Sequence, residues 1–167
     1  VFGIMDMNCI TPHNNTDMSK IDLNALRDRA YKTACEHGFH DQELSNEHCL
    51  CLVISELMKA VEADRKRKYF KGKIMFERDF NLYSALVEEN VRYRNAFEKH
   101  IKDTVGDKLA DTVIRLLDLA GLRNLNLNRF ALVNVVSKKK TFTENIHSIV
   151  KDITNYKYTL EELVNYA

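Results

Sequence analysis

The chain has a single proline, five glycines and no tryptophan in 167 residues. It contains no Asn-Gly or Asp-Gly pair and little strict alternation of apolar with polar side chains. These absences exclude a protein built on tight hairpins and predict an almost wholly helical one. No apolar run approaches the roughly 20 residues needed to span a bilayer, so no membrane partner is expected. Neither sign of charge prevails: the net charge is +1, with acids and bases interspersed. That balance gives no electrostatic ground for a stable nucleic-acid partner. The basic runs Arg65 to Lys68 and Lys138 to Lys140 read as solvated helix ends, or alternatively as contacts with phosphate.

The four cysteines, Cys9, Cys35, Cys49 and Cys51, have neither CxxC spacing nor the density of a secreted disulfide framework. Reduced, packed thiols in a cytoplasmic protein are the expectation. Residues 1–12 lack the basic start and small-residue cleavage site of a signal peptide. The chain opens with Val1, which leaves its true start open.

The length predicts one domain with a sizeable core. Residues 1–18 read as an irregular leader and 19–167 as a single all-α bundle of five to six helices. Ser19 with Asp22 marks a helix start. A helix over about 20–37 then carries Ile21, Leu26, Ala30 and Ala34 inward until Gly38 ends it. In the loop that follows, Phe39 and His40 either border a cleft, where an aromatic can stack a base, or plug the core. Ser45 and Asn46 offer an N-cap for a helix running to about 67. Residues 69–81 break the pattern around Gly72 and read as a flexible excursion. A helical pattern resumes over 82–103 with Leu82, Leu86 and Tyr93 and is expected to lead directly into the Asp-bearing helix, where Gly106 is a weak point and Gly121 a C-cap. Residues 126–137 form a short apolar helix. Thr141 with Glu144, and Thr159 with Glu162, are capping boxes that start helices over 142–153 and 159–166. Tyr156 and Tyr158 lie between them, for packing or for a ligand.

Two stretches carry the chemistry. In ISELMKAVEADRKRK, residues 54–68, a helical wheel places Leu50, Ile54, Leu57 and Val61 on one stripe. Glu56 falls among Cys49, Leu52, Ala60 and Ala63, small or apolar neighbours that offer a carboxylate little solvation. In GDKLADTVIRLLDLAG, residues 106–121, Val105, Leu109, Val113, Leu116 and Ala120 form the apolar stripe. Asp107, Asp111 and Asp118 lie opposite, within about 40° of one another. A carboxylate on a half-buried face is costly unless cations or donors neutralise it, and two such helices face to face can cage a hard divalent metal. His37, His40 and His48 show no zinc spacing and no partnered nucleophile.

The segments EHGFHD, SNEHCLCLVISELMKAVEADRKRK and IKDTVGDKLADTVIRLLDLAG, in that order over residues 23–121, resemble the MazG-type all-α nucleoside-triphosphate pyrophosphohydrolases. The resemblance implies a helical bundle that forms a homodimer or higher homo-oligomer. It implies hydrolysis of a nucleoside triphosphate to the monophosphate and pyrophosphate, with Mg²⁺ held by four acids, two from each helix. Metal bridging suits that chemistry because it delivers water to phosphorus and absorbs charge on the phosphate oxygens. The family pattern is E-x-x-E on the first helix and E-x-x-D on the second. This chain has Glu56 with Lys59, and Lys108 with Asp111.

Each helix therefore keeps one acid and carries lysine in place of the other, so the quartet can neutralise itself. In a facing pair of helices, Glu56 is expected to meet Lys108 and Asp111 to meet Lys59, opposing Mg²⁺ entry. Two alternatives stay open. Glu56, Asp107 and Asp111 together hold one weaker ion, or Lys59 and Lys108 bind phosphate oxygens directly. Arg115 is expected to pair with Asp111 or Asp118, or to border the nucleotide cleft; Asp64 and Arg65 read as local charge pairing or as nucleotide contacts. If the reaction is retained, Glu56 and Asp111 are the catalytic acids, with Glu56, Asp107 and Asp111 as metal ligands. Lys59, Lys108, Arg115, Phe39 and His40 then face the substrate. The other reading is a non-catalytic nucleotide-binding or scaffolding member of the same fold.

Overall fold

The computed structural model describes residues 21–82, 84–127 and 139–154. Six helices and no strand occur among the described residues: α1 (Leu23–Glu36), α2 (Asn46–Arg65), α3 (Lys73–Asn81), α4 (Glu89–His100), α5 (Val105–Leu122) and α6 (Phe142–Thr154). The expected all-α bundle is what the chain forms. The leader, the 126–137 helix beyond Leu127, the second capping box, Tyr156 and Tyr158 lie outside the described residues.

Side-chain caps set several helix starts. The Asp22 side chain accepts from the Ala25 N–H, and Ser45 Oγ accepts from the His48 N–H at 3.1 Å. Thr141 and Glu144 form the reciprocal box: Glu144 Oε2 accepts from the Thr141 N–H at 3.0 Å, and Thr141 Oγ1 from the Glu144 N–H at 3.2 Å. Gly38, with φ 72°, turns the chain out of α1, and the N–H of Phe39 returns to the Ala34 carbonyl at 3.0 Å.

Helices α2 and α5 run antiparallel as the central pair. The Val105 N–H donates to the Lys68 carbonyl at 2.9 Å at one end, and Arg123 holds the Leu44 carbonyl and Asn46 Oδ1 at the other. Their apolar stripes, with α6, form a core of Val53, Leu57, Leu116, Ile146 and Ile153. Helix α1 packs on the far side of α5 through Ala30, Leu117, Ala120 and Leu127. Leu50, Ile54, Val61 and Leu109 border the first core as their stripes require, but Val113 is exposed.

Several expectations change. The 69–81 excursion contains α3; its start is hidden in the sequence by Gly72, whose φ of 108° suits no other residue type well. Helix α3 pairs with α4 around Phe76, Phe80, Tyr93 and Phe97. Asp79 joins the pair by meeting Lys99 at 2.6 Å and His100 at 2.7 Å. Leu82 and Leu86 precede α4 and are exposed, and α4 does not continue into α5, because Thr104 Oγ1 caps a fresh helix. Ile21 lies before α1 and points outward; Cys35 and Cys51 are also exposed, and only Cys49 of the described cysteines is packed.

Gly121 is not a C-cap. Helix α5 runs through it to Leu122, and a Cβ there would overlap Tyr31 Cβ, approach Tyr31 Cγ to 2.9 Å and reach the Arg27 carbonyl at 3.4 Å. The glycine permits α1 and α5 to touch. Helix propensity alone would make Gly121→Ala stabilising by about 1 kcal/mol. Overpacking should reverse that sign and destabilise by roughly 1–3 kcal/mol. Gly106→Ala, whose nearest neighbour would be Thr104 Oγ1 at 4.0 Å, should follow propensity instead. Chemical denaturation of both variants measures the pair, and equal signs would refute the close-approach role.

Candidate functional site

Glu56 is 5% exposed, on the face of α2 that α5 covers. Its Oε1 accepts from Lys59 Nζ at 3.0 Å, one turn along α2, and from Arg115 Nε at 3.3 Å, across the groove. Its Oε2 is buried and has no hydrogen-bond partner among the described residues. A lone ionised carboxylate would not tolerate this depth, and the two cations that reach Oε1 make it tenable.

The second charge cluster lies at the start of α5. Lys108 Nζ lies 2.9 Å from Asp107 Oδ2, 3.2 Å from Asp111 Oδ2 and 3.4 Å from Asp103 Oδ1. Asp107 also accepts from the Asp103 N–H at 2.8 Å, and its own N–H donates to the Thr104 cap. Burial alone would push the Lys108 ammonium down, but the Asp107 and Asp111 carboxylates outweigh it and hold the group above the ordinary lysine range. Burial pushes the Asp111 carboxyl up; Lys108 opposes that shift, while Asp107 and Glu56 add to it.

The expected pairing across the groove is therefore corrected. Lys59 pairs with Glu56 and Lys108 with Asp111, each within its own helix at i,i+3. Neighbours at that spacing meet without either side chain crossing the interface. Arg115 crosses instead, and its Nε meets Glu56 Oε1 at 3.3 Å. Asp64 accepts from the Tyr69 hydroxyl and Arg65 pairs with Glu62, so both are engaged locally.

Asp118 belongs to a separate part of the groove. His40 Nε2 meets Asp118 Oδ1 at 2.7 Å, across 78 positions of sequence. Burial pushes the Asp118 carboxyl up, against the pull of His40 and Arg115. Beside this pair is a cavity of about 150 Å³ walled by Phe39, His40, Leu52, Cys49, Arg115 and Asp118. Phe39 is 44% exposed at its edge, stacked on His37 with ring centres 6.0 Å apart, and does not plug the core. Sequence reasoning missed the His40–Asp118 pair and the parts of Leu52 and Cys49 in the wall. Phe39, His40 and Arg115 are thus brought to one cavity, Glu56 and Lys59 to the adjoining ion pair, and Lys108, Asp107 and Asp111 to the far cluster.

The donor set does not fit a resident Mg²⁺. That ion prefers nearly regular octahedral oxygen ligation from carboxylates free to approach it. Here Asp107 and Asp111 already share the Lys108 ammonium, and Glu56 carries Lys59 and Arg115 on one oxygen. The Oε2 of Glu56 is a single ligand atom, on a carboxylate that already holds two cations. Among the described residues no group of three His, Cys, Asp or Glu side chains is placed to hold a metal ion.

Arg115→Met is expected to leave Glu56 with Lys59 as its only cation among these contacts. Arg115 keeps some contact with water, so the loss should fall below that of a fully buried pair, at about 1–3 kcal/mol. Combining it with Glu56→Leu should recover most of that loss in urea denaturation. A double variant as unstable as the sum of the singles would contradict the pairing. Neither a protein-family model, a curated protein nor a solved structure matches this chain.

Proposed function

We propose that this chain is a divergent MazG-like domain that binds a nucleoside triphosphate, or a related nucleotide, in the groove between α2 and α5. The observation that carries the reading is the continuity of the groove through Arg115. This residue walls the cavity beside Phe39 and His40 and also hydrogen-bonds Glu56. A cavity with an exposed aromatic at its rim and a few converging polar groups suits a flat heterocycle. The base stacks on Phe39, with His40 and Asp118 at its edge, and the phosphates extend past Arg115 toward Lys59. The reaction that belongs to this reading is hydrolysis of the triphosphate to monophosphate and pyrophosphate. With both lysines paired to the acids of the groove, we place this chain on the impaired side of that reaction, as a nucleotide-binding member that acts as a homodimer or higher homo-oligomer.

A second reading, retained hydrolysis, draws on one observation. Glu56 Oε2 is a buried carboxylate oxygen with no hydrogen-bond partner among the described residues. Such an oxygen can accept a proton from water or orient it, while Arg115 and Lys59 offset charge on phosphate.

Titration calorimetry with non-hydrolysable nucleoside triphosphates carrying each of the common bases tests the favoured reading. Saturable binding of at least one is expected. Phe39→Ala should weaken it by on the order of tenfold, the scale of a lost base–aromatic stack. No saturable binding up to millimolar nucleotide would refute the reading. Pyrophosphate release with Mg²⁺, abolished by Glu56→Gln, would select the second reading over the first.

A further inference from the structure

Lys59 and Lys108 occupy unlike settings. The Lys108 side chain is 17% exposed and touches three carboxylates, so it is a captive cation. The Lys59 side chain is 55% exposed and, among the described residues, has one carboxylate partner, which it shares with Arg115. An ion pair whose ammonium faces water, and whose buried carboxylate keeps a second cation, exchanges more easily than an ammonium ringed by carboxylates, which leaves only at the cost of their mutual repulsion. Together with Arg115, the two lysines set three cations against Glu56, Asp103, Asp107 and Asp111. The acidic face is thereby almost neutral without any dissolved ion.

We propose that Lys59 and Lys108 are tethered counter-ions standing in for divalent metal. Lys108 permanently fills the acidic cluster at the start of α5, and Lys59 swings from Glu56 to the phosphate chain of a bound nucleotide. The groove therefore takes nucleotide without a metal, and its carboxylates become a divalent-cation site only when the ammonium groups are removed. A divalent ion approaching Asp107 or Asp111 meets a like charge that cannot diffuse away, because it is covalently part of α5. Exchange at Lys59 is permitted because Arg115 stays on Glu56 and keeps that buried carboxylate compensated. The phosphate half of this inference rests on the nucleotide-binding reading; the counter-ion half does not.

Mn²⁺ titration followed by electron paramagnetic resonance, without nucleotide, tests the counter-ion half. The native chain should bind no Mn²⁺ in the micromolar range, and the Lys59→Glu, Lys108→Glu variant, folded by circular dichroism, should bind it there. Micromolar binding by the native chain, or none by the folded double variant, overturns the proposal. If the double variant does not fold, Lys108→Met serves instead. It should melt below the native chain and regain at least half the difference in millimolar Mn²⁺, and no regain overturns the proposal. For the phosphate half, a non-hydrolysable nucleoside triphosphate should bind within threefold as tightly in EDTA as in Mg²⁺. A tenfold weakening in EDTA overturns that half. Absence of binding in both buffers refutes the nucleotide reading itself, while the Mn²⁺ titrations still decide the counter-ion claim.

Discussion

Helices α2 and α5 can close on each other only if the carboxylate of Glu56 finds cations inside the interface. It finds Lys59 on its own helix and Arg115 on the other. The arginine contact ties the two halves of the groove, because Arg115 is also a wall of the cavity where Phe39, His40 and Asp118 meet. A planar guanidinium on a long stem suits this position, since it spans the interface and remains charged in partial burial. Apolar packing of Val53 and Leu57 against Leu116 supplies the attraction between the helices. The ion pair fixes what that attraction encloses.

At the other end of the groove, acids crowd the first turns of α5. A helix N-terminus favours negative charge, and Asp107 takes the Asp103 N–H while the Thr104 hydroxyl receives its own. Adding Asp111 to the same face would leave carboxylates repelling one another; burial pushes the Asp111 carboxyl up, and Asp107 and Glu56 add to that push. Lys108 resolves this locally. Its ammonium is held by the carboxylates it neutralises, and the face that resembles a metal cage is already balanced. The two ends of the groove thus differ in kind, with a cavity floored by the His40–Asp118 pair at one and a filled acidic cluster at the other.

Much of the framework was legible in the chain. The absence of hairpin signals pointed to helices, and Ser45, Thr141 with Glu144, and Gly38 marked boundaries because caps act within one turn. Glu56 was readable as a buried acid from the small residues around it on the wheel. The partners of the charges were less legible. A wheel gives angle but not reach, so it could not decide between Lys59 bridging to α5 and Lys59 folding back on Glu56. The His40–Asp118 contact joins a loop to a helix far along the chain, and no local pattern encodes it. Helix α3 was missed because Gly72 and the basic run before it resemble a loop, and its aromatic face gains meaning only against α4. Gly121 looked like a terminus; its purpose is the passage of Tyr31, a tertiary fact.

The Lys108 ammonium is held in place by carboxylates and, as proposed above, excludes divalent ions from them. Nuclear magnetic resonance of lysine ammonium groups observes this directly in the native chain. A Lys108 signal with slowed proton exchange, unmoved by millimolar magnesium, is expected. Exchange as fast as that of the exposed lysines, or displacement of the signal by magnesium, would contradict it.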